Sequence, residues 1–160
     1  MKFLIMALII MLGYSSASAD NLFVEAGPGI LKSKDSLVLL LRYQKETSEL
    51  FGHSSFYEAF GAHWTDGSRA TAYGLARGIV WNRKDRPAFF STSFGLAGVS
   101  RTTSHMGTRF QFYFRFAYDW RLGSVPVSLG YIHFSNGKLV FGWDGPNSGE
   151  NFLTFSAALF

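Results

Sequence analysis

Between Arg109 and Trp120 the chain alternates without a break. Phe110, Phe112, Phe114, Phe116, Tyr118 and Trp120 hold the even positions, and Arg109, Gln111, Tyr113, Arg115, Ala117 and Asp119 the odd ones. Successive side chains of an extended strand leave opposite faces, so this run has one aromatic face and one that is largely polar and charged. A half-buried strand of a soluble sandwich also alternates, but a file of six aromatics is more than its core face holds. The opposing face carries charges of both signs that need partners. Lipid outside and a charge-paired interior satisfy both faces.

Aromatic residues make up 18% of the chain and 17 residues are Phe. That surplus exceeds what a small soluble core needs and requires apolar or interfacial surroundings. Similar runs bounded by turn residues recur at 22–30, 36–44, 53–64, 70–81, 87–97, 108–120, 125–136 and 151–160, which predicts eight strands. Each is near the roughly nine to eleven residues that a tilted membrane strand requires. The expected fold is all-β, an eight-stranded antiparallel transmembrane β-barrel whose interior is filled by side chains rather than left as a pore.

In the second strand Leu37, Leu39, Leu41 and Tyr43 oppose Leu40, Arg42 and Gln44. In the fifth, Phe90, Phe94 and Leu96 oppose Ser91, Ser93 and Gly95. Strands three and four are read with Glu58 and Arg77 inside, which carries Phe56, Phe60, Tyr73 and Ile79 inward as well. Trp64, Trp81, Trp120 and Trp143 are assigned to interfacial girdles or loops. A terminal Phe160 is in keeping with an outer-membrane barrel.

Residues 1–19 read as a signal peptide: Lys2, an apolar stretch from Phe3 to Leu12, and the small Ala17-Ser18-Ala19 ahead of Asp20. Residues 20–160 then form the barrel. Cysteine is absent, so an exported chain of this size is held together without disulfides. Loss of Lys2 with the leader lowers the net charge from +4 to +3, a scattered excess too small to argue for nucleic acid. An even strand number places both termini on the periplasmic side and the connection between strands seven and eight at the cell surface.

His133 and Ser135 sit two residues apart in the seventh strand, so both leave it on the face that carries Val127, Leu129 and Tyr131. Ser128 and Gly130 lie on the other face. Polar groups directed at hydrocarbon are costly and need a functional reason, and a base beside a hydroxyl is what an activated nucleophile requires. A strand rise of about 3.4 Å per residue separates the pair by roughly 7 Å at the backbone, a gap an imidazole can bridge. A third group must orient the ring, usually a carboxylate. The adjoining loop offers Asp144 and Glu150, and Glu150 is preferred because it opens strand eight beside strand seven. His53, His63 and His105 have no metal-site spacing, and neither metal nor organic cofactor is expected.

His133-Phe134-Ser135-Asn136, followed by Pro146-Asn147-Ser148-Gly149-Glu150-Asn151, resembles the C-terminal signature of the outer-membrane lipid A 3-O-deacylases, the PagL family. The resemblance implies a serine esterase in the Gram-negative outer membrane with a His-Ser-Glu triad on the outer wall of the barrel. It makes His133 the base, Ser135 the nucleophile and Glu150 the orienting acid, with Asn136 and Asn147 at the oxyanion hole. The reaction implied is hydrolysis of the ester-linked acyl chain at the 3-position of lipid A in the outer leaflet. Departures are Gly137, where Ala is expected, and the loop before Glu150, whose length differs by a residue.

The partners expected are lipid A or lipopolysaccharide as substrate and the surrounding outer-membrane lipids, with no nucleic acid; a homodimer is one assembly open to the chain. Lys32, Lys34, Arg69, Arg101 and Lys138 fall near outer loops, where lipid A phosphates would meet them, although each singly reads as solvated loop charge. Two other readings remain open. One is a non-enzymatic structural or adhesive barrel, in which His133 and Ser135 are replaceable. The other is an outer-membrane esterase acting on glycerophospholipids with the same residues.

Overall fold

Strand-forming runs with two distinct faces, joined in several places by tight turns, pair with their sequence neighbours and close on themselves. The computed structural model describes residues 20–66, 68–81, 87–138, 142 and 145–160. The leader read at 1–19, and Trp143 and Asp144 of the last loop, lie outside the described residues. The strands are β1 (Asp20–Pro28), β2 (Leu37–Leu50), β3 (His53–Asp66), β4 (Ser68–Trp81), β5 (Ala88–Val99), β6 (Phe110–Leu122), β7 (Val125–Ser135) and β8 (Glu150–Ala158). Each pairs with the next, and β8 returns antiparallel to β1 to complete a closed barrel. All eight expected strands are present in an all-β fold, with β2 extending well beyond its expected end.

The β2–β3 and β6–β7 turns are short and use Gly52 and Gly123 at φ of 75° and 62°, a left-handed backbone that glycine adopts without strain. That end of the barrel also carries Asp20 and Phe160. The opposite end holds the longer connections 29–36, 100–109 and 136–149, including one turn of 3-10 helix at Leu31–Ser33.

β6 has the two faces its alternation demands. Gln111, Tyr113, Arg115 and Ala117 are buried, while Phe110, Phe114, Phe116 and Tyr118 are exposed. Leu37, Leu39, Leu75, Phe90, Phe94, Leu129 and Phe155 extend the apolar outer wall around the barrel. Inside, Glu25 lies between Arg42 at 3.2 Å and Arg115 at 3.3 Å. Arg42 also reaches Glu58 at 3.3 Å, and the Tyr113 hydroxyl donates to Glu58 at 2.7 Å. Within this cluster two carboxylates balance two guanidiniums. Burial would be prohibitive for either sign alone and is tolerated because each charge is paired and hydrogen-bonded.

β4 departs from expectation. Glu58, Phe56 and Phe60 of β3 face the interior as read, but Tyr73, Arg77 and Ile79 of β4 face outward, and Tyr73 is 51% exposed. From 70 to 78 the inward residues of β4 are instead small, Ala70, Ala72, Gly74, Ala76 and Gly78, with Val80 following them. The reason is volume. A Cβ at Gly78 would collide with the Phe56 ring and one at Gly74 with the Phe60 ring, so the large residues of β3 occupy the space that β4 vacates. Arg77 finds partners on the outer wall, its guanidinium 4.5 Å above the Tyr57 ring and donating to Ser55 at 2.9 Å. Trp64, expected at an interface, is fully buried and stacks on Phe134 with ring centroids 5.4 Å apart.

Candidate active site

β7 keeps its period to the end. Ile132 and Phe134 are fully buried in the interior aromatic cluster with Phe60, Trp64 and Tyr113. That anchorage directs the residues flanking Phe134 outward, so His133 and Ser135 lie half-buried on the outer wall, at the end of the barrel that carries the long connections.

β8 lies antiparallel to β7 with His133 opposite Asn151 and Phe134 opposite Glu150. Glu150, expected as the orienting acid of His133, therefore shares the inward parity of Phe134 and is fully buried. Its Oε2 accepts from the Ser33 hydroxyl at 2.6 Å and lies 3.4 Å from Nδ1 of His105, and its Oε1 accepts from Thr103 at 2.7 Å. The carboxylate thus ties three segments together inside the barrel and faces away from the wall that carries the His133 imidazole. The place next to His133 belongs to Asn151, whose Oδ1 is 2.9 Å from Nδ1. Asp144, the other acid considered, lies outside the described residues.

Asn151 is held on every side. Its backbone N–H donates to Ser33 Oγ at 3.1 Å and its carbonyl accepts from Ile30 N–H at 2.8 Å. Its Oδ1 also accepts from the Tyr131 hydroxyl at 2.6 Å, and its Nδ2 donates to the Gly149 carbonyl at 3.3 Å. The Tyr131 ring lies nearly parallel to the imidazole, with an interplanar angle of 12°. Among the described residues the imidazole bonds through Nδ1, which leaves Nε2 as the nitrogen available to a hydroxyl.

Asn136 and Asn147 are brought together. The Asn136 backbone N–H donates to Asn147 Oδ1 at 2.9 Å, and Asn136 Nδ2 donates to the Pro146 carbonyl at 3.3 Å. The β5–β6 connection straps the 145–149 segment from the other side: Gly107 N–H donates to Pro146 O at 2.8 Å, Gly149 N–H to His105 O at 3.2 Å, and Met106 bridges to Asn147. Gly149 has φ of +70°, and a Cβ there would collide with Cε1 of His133 and lie 3.2 Å from its Nδ1. Asn151, Gly149 and this strap are the parts of the candidate site that sequence reasoning missed. A strict count of two from the outward Leu153 and Phe155 would have placed Asn151 outside and Glu150 inside.

The fold defines a membrane β-barrel of the outer-membrane type, carrying a base and a hydroxyl on its lipid-facing wall. The profile of the lipid A 3-O-deacylase (PagL) family matches residues 38–160, and the chain belongs to that family of lipid A hydrolases. Its structure is similar to the crystal structure of the outer membrane enzyme PagL, with a TM-score of 0.69 and 18% sequence identity, covering 89% of this chain and 99% of that one. At that identity the likeness is one of fold, and the barrel fits the outer membrane. No curated protein matches the chain in sequence. Neither match supports a homodimer.

Proposed function

We propose that this protein is a serine esterase that removes the acyl chain ester-linked at the 3-position of lipid A, working from the outer leaflet. The observation that carries the reading is the placement of His133 and Ser135 on one outward face of β7, at the long-loop end of the barrel. An amphiphile with its headgroup at the loops and its chains against the wall presents its ester bonds at that height. A soluble substrate would have no reason to find a nucleophile there.

Nε2 of His133 takes the Ser135 proton as Oγ attacks the ester carbonyl. The tetrahedral intermediate collapses with transfer of that proton to the departing sugar oxygen, leaving an acyl-Ser135. Water, deprotonated by the same nitrogen, then attacks the acyl-enzyme and releases the fatty acid. The developing oxyanion is assigned to the Asn147 amide nitrogen. The bond from Asn136 N–H fixes the Asn147 oxygen and so turns its Nδ2 the other way; Asn136 acts here as the group that positions the donor. One such donor is worth about 3–4 kcal/mol in other hydrolases.

The test is hydrolysis by the purified barrel in detergent, offered lipid A and glycerophospholipid separately. Release of a single ester-linked chain from lipid A, lost in Ser135→Ala, supports the proposal. Cleavage of glycerophospholipid alone would keep the chemistry and replace the substrate. Cleavage of neither by a folded barrel would favour a structural or adhesive protein.

A further inference from the structure

We infer that Asn151 is the positioning residue of this site, a neutral amide standing where a serine hydrolase ordinarily places a carboxylate, so that the working constellation is Ser135, His133 and Asn151. The inference rests on the esterase reading of His133 and Ser135. It follows from accounting for donors and acceptors around one side chain. The Gly149 carbonyl can only accept, so the end of the Asn151 amide that faces it is the NH2 group. The other end is then Oδ1, which already receives the Tyr131 hydroxyl. An amide oxygen cannot donate, so the imidazole nitrogen 2.9 Å away must carry its proton. The neutral ring is thereby fixed with hydrogen on Nδ1 and its lone pair on Nε2, the tautomer a general base acting on Ser135 needs.

Reversing the amide would set oxygen against the Gly149 carbonyl, an acceptor facing an acceptor that no rotation of a neighbouring hydroxyl can relieve. The backbone is equally constrained, since Asn151 N–H and C=O are both bonded to the β1–β2 connection. Glu150 cannot take over by a side-chain rotation. Exchanging it with Asn151 requires β8 to slip by one residue, which would turn Leu153 and Phe155 inward and Phe152 and Thr154 outward. An amide orients the ring without a full negative charge, so it stabilises the imidazolium less than a carboxylate would. The variant Asn151→Asp restores that charge at the same atoms.

Two readouts test the assignment. Nitrogen-15 NMR of the His133 ring in the detergent-solubilised barrel should show the Nδ1-protonated tautomer in the unmutated protein and a mixture in Asn151→Ala. In hydrolysis, Asn151→Ala should lower kcat by about 10- to 100-fold, in line with the loss from misplacing a catalytic group by about an ångström. Asn151→Asp should stay active, with the acidic limb of its pH profile moved to higher pH, because a carboxylate favours the protonated ring and more alkaline conditions are needed to free Nε2. An unchanged tautomer and kcat in Asn151→Ala would overturn the inference, as would an unmoved pH limb in Asn151→Asp. If the unmutated protein hydrolyses neither lipid, the esterase reading fails, and the tautomer measurement still decides the role of Asn151.

Discussion

Glu150 and Asn151 are consecutive in the chain and lie on opposite sides of the barrel wall, and one hydroxyl serves both: Ser33 Oγ donates to the Glu150 carboxylate and accepts from the Asn151 N–H. The interior tie between the long connections and the outward site therefore meet at a single peptide unit. Whatever fixes Glu150 inside also fixes the backbone from which Asn151 reaches His133.

Glu150 is consequently expected to matter for stability more than for chemistry. Glu150→Ala leaves the buried hydroxyl of Ser33 and the half-buried one of Thr103 without their acceptor, at about 1–3 kcal/mol for the buried group and less for the other. Denaturant unfolding of the refolded barrel should show a clear loss. Glu150→Gln, which keeps an acceptor in the same volume, should retain most hydrolysis. Loss of hydrolysis in Glu150→Gln with unfolding unchanged would make the carboxylate part of the chemistry.

Gly149 has no tolerance for a side chain. Its left-handed φ strains any substitution, and an added Cβ meets the imidazole of His133. Gly149→Ala should displace the ring and lower kcat by about 100-fold, with the barrel still folded by circular dichroism. Wild-type turnover would show that the imidazole has room to shift.

The interior charges predict the reverse pattern. Glu25→Ala leaves Arg115 without its carboxylate and Arg42 with Glu58 alone. Breaking a buried pair in this way costs about 3–5 kcal/mol. The unfolding midpoint should fall sharply, while kcat measured where the variant is folded stays near that of the unmutated protein. An unchanged midpoint would mean water compensates these charges.

The fold is legible in the sequence wherever one face is decided by many residues. The aromatic file of β6 and the leucine file of β2 assign inside and outside without ambiguity, and the same count places His133 and Ser135 on the wall. Legibility fails where a single residue is allowed to decide. Arg77 looks like an interior charge, yet Ala70, Ala72, Gly74 and Gly78 leave the interior to Phe56 and Phe60, a fact about volumes on a neighbouring strand. Trp64 looks like a girdle residue for the same lack of knowledge about what packs against it. Glu150 is the sharpest case. Chemistry favours an acid beside a histidine, but in a strand of period two a shift of one residue reverses the side, and Asn151 holds the outward position. The strap from the β5–β6 connection has no sequence signal, because its contacts are backbone hydrogen bonds between segments distant in the chain.

The most direct test of the central claim is mass spectrometry of lipid A from Gram-negative cells expressing the unmutated protein or Ser135→Ala at equal outer-membrane levels. The account predicts loss of one ester-linked 3-hydroxyacyl chain from the 3-position with the unmutated protein and intact lipid A with the variant. Lipid A left intact by both, or shortened equally by both, would contradict it.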